Sequence, residues 1–119
     1  MAFKFEKLII WQKAMDLNEV IFVITKGFPS DERFNLISQM RRAADSVALN
    51  IAEGSTSQSN PEYQRFLNYS IRSIVEVVSA LFISKRRNYI AEEVFQSTYN
   101  QCEELVKMIQ SLKNKLVSS

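Results

Sequence analysis

Apolar residues recur along this chain at intervals of three and four, and no segment alternates at intervals of two. Ile10, Ala14, Leu17, Ile21 and Ile24 form one run, and Leu36, Met40, Ala43, Val47 and Ile51 a second. Leu67, Ile71, Ile74, Val78 and Leu81 form a third; Phe95, Thr98, Cys102, Leu105, Ile109, Leu112 and Leu116 a fourth. Steps of four and three keep side chains on one face of a 3.6-residue turn, so each run predicts a helix that buries one side. The breaks between runs carry helix-end chemistry. "KGFP" supplies a C-cap at Gly27 and a stop at Pro29. Asp31 and Glu32 suit the positive end of the second helix, and Gly54 reads as its left-handed cap. "NPEY" offers Asn60 as N-cap, Pro61 as first helical residue and Glu62 in the first turn. "KRR" sits at the negative end of the third helix, with Asn88 as a left-handed cap. The expected helices span about 6–26, 31–53, 61–87 and 91–116. Short loops make them an all-α, up-down-up-down antiparallel four-helix bundle, one domain over residues 1–119.

The first helix departs from simple amphipathicity. Leu8, Trp11, Met15 and Phe22 line a second apolar side, broken only by Asn18. A helix apolar on two sides is buried on both. Either a second copy of the chain covers that side, making the protein a homo-oligomer, or Phe3 and Phe5 or a loop fold over it. Leu49, lone on the polar side of the second helix, adds to the interface candidates.

Composition narrows the chemistry. The chain has 119 residues with two glycines and two prolines, too few for anything but long elements and few turns. It has no histidine, which removes the commonest general base and metal ligand. One cysteine, Cys102, makes neither an internal disulfide nor a thiolate cluster; inside the apolar stripe it reads as a buried hydrophobe rather than a reactive thiol. Glu92 with Glu93, and Glu103 with Glu104, are adjacent on a helix and diverge by about 100°. They make solvated faces, not acid–base pairs. No glycine-rich phosphate loop is present. The sequence therefore predicts no catalytic residues, no metal and no cofactor, and an enzyme would have to work with Arg, Glu and Ser alone. No signal peptide and no long apolar run is read, so the expected location is cytoplasmic, without a membrane.

The net charge is +2, which alone says little. Its placement says more. Arg41 and Arg42 lie on the second helix; Arg65, Arg72 and Arg86 share one side of the third and could track a phosphate backbone. The plainer alternative pairs Arg72 with Glu76 one turn on and leaves "KRR" to complement the helix dipole. On the second helix, Gln39, Arg42, Ser46, Asn50 and Glu53 form a polar stripe at spacings of 3, 4, 4 and 3, threaded with alanines. Small residues let a neighbouring backbone come close, and polar groups in such a contact need hydrogen-bond partners. The stripe reads first as a seam fixing register or assembly, and second as a ligand or nucleic-acid site.

"LIIWQKAMDL", "FPSDERFNLISQMRRAADSVALNIAEG", "SIVE" and "NYI" together resemble the S23 family of four-helix bundle proteins, named for reading frames in intervening sequences of bacterial 23S ribosomal RNA genes. The centre of the resemblance is Ser46, Asn50, Glu53 and Gly54 in the pattern SxxxNxxEG after "QMRRAA". It implies a bacterial protein that assembles as a ring-like homopentamer with a role near nucleic acid. A related branch, the accessory variability protein of diversity-generating retroelements, implies a basic barrel that binds a reverse transcriptase and nucleic acid. This chain carries Arg72–Ser73 where the family pattern has "GS", which adds a cation to the suspected strip. The partners expected are therefore a second copy of the chain, RNA or DNA, and alternatively a protein that the ring carries as an adaptor.

Overall fold

Residues 2–118 are described by the computed structural model. Four helices, α1 (Ile9–Lys26), α2 (Leu36–Gly54), α3 (Asn60–Arg86) and α4 (Glu92–Ser118), pack up and down in a bundle of 46 × 24 × 22 Å. Each helix packs on its chain neighbours, and α1 closes the ring against α4, the loosest of the four sides. The four apolar stripes meet in one core, with Leu17, Ile21, Met40, Ile51, Leu67, Ile74, Leu81, Leu105 and Ile109 fully enclosed. Burying each such side chain contributes about 1.5–3 kcal/mol. No strand occurs among the described residues.

The helix ends differ from expectation in four places, each for a packing reason. α1 starts at Ile9, not near residue 6, because Leu8 is extended and Lys4–Lys7 forms a separate 3-10 turn. That turn is tied by the Phe3 N–H donating to Glu6 Oε2 at 2.9 Å and by Gln12 Nε2 donating to the Glu6 carbonyl at 3.0 Å. It swings Phe5 onto Trp11, ring centroids 4.8 Å apart. α2 starts at Leu36, not at residue 31, because Ser30–Glu32 is a 3-10 turn that points Glu32 inward. Gly54 is not a left-handed cap; it is the last residue of α2, and no described glycine has a positive φ. A Cβ there would lie 3.0 Å from Phe66 Cβ and 3.0 Å from the Tyr63 ring, so glycine is required by the closeness of α3. The N-cap of α3 is Ser59, whose Oγ accepts the Glu62 N–H at 3.3 Å. Asn60 is instead the first helical residue, and its Nδ2 donates to the Leu116 carbonyl at 3.1 Å.

Asn88 does adopt the left-handed conformation, φ 62°, and the Tyr89 N–H reaches back to the Ser84 carbonyl at 2.9 Å. The core face of α3 is turned slightly from the predicted one. Ser70, Val77 and Ser84 are buried, while Ile71 and Val78 are only half-buried. α3 also reaches a mean hydropathy of 1.4 over 18 residues, long and apolar enough by composition to cross a membrane. In this fold α3 packs against α2 and α4 through part of that apolar surface, while Val75, Phe82 and Ile83 stay exposed.

Candidate nucleic-acid interface and the polar seam behind it

The α2–α3 contact is built from small residues and hydroxyls. Ser84 meets the Met40 sulfur at 3.6 Å, Ser73 Oγ and Ser46 Oγ lie 2.9 Å apart, and Ser70 Oγ donates to the Val47 carbonyl at 2.9 Å. Gly54 faces Phe66. The pairing falls in α3 as it climbs in α2, as antiparallel helices require. Asn50 Nδ2 donates to both the Ser46 carbonyl and Ser46 Oγ, each at 2.9 Å. The middle of the polar stripe, Ser46 and Asn50, is thus engaged inside one chain. Its ends are more open: Gln39, Arg42 and Glu53 are exposed. Gln39 Nε2 donates to Asn35 Oδ1 at 3.1 Å, and Arg42 reaches Ser38 Oγ at 3.4 Å, both within α2 and the residue before it.

The arginines divide in the same way. Arg41 is half-buried; its Nε donates to Thr25 Oγ1 at 2.8 Å, its Nη2 donates to the Phe22 carbonyl at 3.3 Å, and its guanidinium lies 4.3 Å from the Phe22 ring. It ties α2 to α1. Within "KRR", Lys85 pairs with Glu92 at 2.9 Å and Arg87 with Glu32 at 2.8 Å, while Arg86 makes no ion pair among the described residues. Arg65, Arg72 and Arg86 are exposed along α3, a row of about 31 Å at 1.5 Å per residue. Arg65 rests 5.6 Å from the Phe66 ring, and Arg72 has no ion pair with Glu76. Beside them Asn68 accepts a hydrogen bond from Lys113 of α4. Tyr69, unremarked in the sequence, stands on this face at 41% exposure; its place between Arg65 and Arg72 was the available signal.

Glu32 is the other residue that sequence reasoning undervalued. It is buried and accepts hydrogen bonds from Arg87 Nη1 and Tyr89 Oη, both at 2.8 Å, and from Asn35 Nδ2 at 3.0 Å. The Tyr89 and Asn35 bonds, helped by the Arg87 charge, hold its carboxyl below the usual carboxylate range against the opposing effect of burial. The same bond, with burial, raises the Tyr89 phenol. This knot joins the α1–α2 and α3–α4 connections at one end of the bundle, with Phe28 packed 5.1 Å from Tyr89.

The apolar second side of α1 is partly covered from within. Phe5 shields Trp11, and Leu8 and Trp11 are half-buried. Met15, Phe22 and Leu49 remain exposed, with Met15 and Leu49 bordering an open groove of about 450 Å³ that the Asn18–Asp45 hydrogen bond crosses. A larger groove, about 620 Å³, lies between α1 and α4, lined by Val20, Val23, Ile24 and Val94 together with Asp16, Glu19 and Glu93. Cys102 is enclosed below a third groove between α3 and α4, and burial pushes its thiol up to about 12. No metal-holding cluster occurs among the described residues.

Fold and surface together define a small all-α bundle that carries a row of exposed arginines, Arg65, Arg72 and Arg86, along the outer face of α3. The chain belongs to the 23S rRNA-intervening sequence protein family, whose model matches residues 6–111. A solved structure, described as a protein with unknown function from the S23 ribosomal protein family from Bacteroides thetaiotaomicron VPI-5482, is similar at a TM-score of 0.79. It shares 22% identity over 88% of this chain and 98% of its own, a likeness of fold. No curated protein matches the chain.

Proposed function

We propose that this chain is a non-enzymatic homo-oligomer, a pentameric ring in the cytoplasm, that binds RNA or DNA through its phosphate backbone. The observation that carries the reading is the row Arg65, Arg72 and Arg86, exposed and without ion-pair partners among the described residues, while Arg41, Lys85 and Arg87 are held within the chain. Arg42 extends the cationic surface onto α2. Repeating weak phosphate contacts around a ring raises the effective concentration of each, so a modest charge per copy suffices. The copies meet through Met15, Phe22 and Leu49, with Leu8 and Trp11 at the edge, because exposed apolar side chains grouped on α1 and α2 favour a covered face.

Fluorescence anisotropy with a labelled structured RNA and a labelled duplex DNA, across a salt series, tests the binding. The expected outcome is micromolar or tighter affinity whose logarithm falls linearly with log salt. Absence of binding at low salt overturns it. Trp11→Glu, followed by light scattering, tests the assembly; an unchanged oligomer removes the α1 face from the interface. A second reading, a protein–protein adaptor, draws on the α1–α4 groove, whose mixture of valines and carboxylates suits a protein surface and repels phosphate.

A further inference from the structure

We infer that Arg65, Tyr69 and Arg72 form a site for single-stranded nucleic acid, with the Tyr69 ring stacked on one unpaired base and the two guanidiniums on the flanking phosphates. The inference rests on the nucleic-acid binding proposed above and names the form of nucleic acid that the site takes. Tyr69 follows Arg65 by four residues and precedes Arg72 by three, the spacings that place side chains on one helix face. All three are exposed. The ring is braced rather than free: Phe66 meets it at 6.0 Å with the planes 89° apart. A perpendicular neighbour does not stack on the ring, and Tyr69 keeps 41% of its surface exposed for a ligand to meet. Phe66 is half-buried and sits close against α2, since a Cβ at position 54 would lie 3.0 Å from Phe66 Cβ.

Charge bounds the site. Lys113 sits beside Asn68 and adds a cation from α4. Glu62 precedes Arg65 by three residues and Glu76 follows Arg72 by four, so the stretch of the arginine row around Tyr69 is short, and Arg86 continues the row beyond Glu76. A short cationic track around one aromatic ring fits one or two nucleotides. A base inside a duplex is stacked on both sides and offers only its edge, whereas an unpaired base has a face to give. A duplex gains from the arginines alone; a single strand gains from the arginines and the ring.

The test uses a labelled U-tract RNA and a labelled RNA duplex of equal length, titrated with wild type, Tyr69→Ala and Tyr69→Phe. The wild type is expected to prefer the single strand. Tyr69→Ala should lose about tenfold on the single strand, the size of one stacked base, and nothing on the duplex, with an unchanged salt slope. Tyr69→Phe should retain the affinity of the wild type. Equal affinity for the two probes, or a Tyr69→Ala protein that binds the U-tract as well as wild type, overturns the stacking site and leaves backbone binding standing. Wild type that binds neither probe at low salt overturns both. Because Tyr69 is exposed, a thermal melt of Tyr69→Ala matching wild type shows that any loss is local.

Discussion

Arg41 and Arg72 are the same side chain in two different situations. Arg41 faces α1, donates to Thr25 and to the Phe22 carbonyl, and lies over the Phe22 ring. Arg72 stands on the outer face of α3, exposed and without an ion pair among the described residues. The same division separates whole regions. The inner α2–α3 seam carries Ser46, Asn50, Ser70 and Ser73, each hydrogen-bonded within the chain. The outer α3 face carries Arg65, Arg72 and Arg86, which offer their charge to solvent. Polar residues at helical spacing thus serve two ends here: closing the bundle where small residues surround them, and presenting charge where they do not.

The seam should be the part least tolerant of added volume. Gly54→Val is expected to lower stability by about 3 kcal/mol, since the new side chain meets Phe66 and Tyr63. Gly27 supplies the contrast, because a Cβ there meets only the Ile24 carbonyl at 3.7 Å and the φ of −86° suits any residue. Gly27→Ala should raise stability by about 0.5 kcal/mol. Urea midpoints for the two variants check both; a harmless Gly54→Val would break the tight-seam description.

Glu32 gives the inner network a pH signature. Its folded pKa lies below the ordinary carboxylate value, so the unfolded chain takes up the proton first as pH falls. Its contribution is full above the ordinary carboxylate range and is lost as pH drops through the lowered folded value. Glu32→Gln should reduce stability at neutral pH and flatten that part of the acid limb, read from urea midpoints between neutral and acid pH. A parallel curve for the variant would remove Glu32 from the network. Ser70→Ala should cost about 1 kcal/mol, the value of one buried hydrogen bond lost from the Val47 carbonyl, measurable in the same assay.

Much of this architecture is legible in sequence because helix burial has a period that residues such as Leu17, Met40 and Ile109 display directly. The errors share a cause. Ser70 and Ser84 counted as polar in the pattern, yet hydroxyls that donate to backbone carbonyls bury at little cost, and they turn the core face of α3. Glu32 read as a complement to a helix dipole, whereas its partners Arg87 and Tyr89 lie 55 and 57 residues away. Gly54 read as a local cap, whereas Phe66 and Tyr63 on another helix require it. The arginines were recognisable as candidates, but which of them were already engaged depended on distances between helices that no periodicity contains.

The most direct measurement crosses the two arginines. Arg41→Ala and Arg72→Ala are each assayed for urea midpoint and for the slope of log affinity against log salt on a labelled RNA. Arg41→Ala is expected to lose about 1.5 kcal/mol of stability and keep the slope of the wild type. Arg72→Ala is expected to keep its stability and lower the slope by about 1, the mark of one lost phosphate contact. The reverse pattern, with Arg41 carrying the salt dependence and Arg72 the stability, would contradict the division of the molecule into a closed inner seam and an open cationic face.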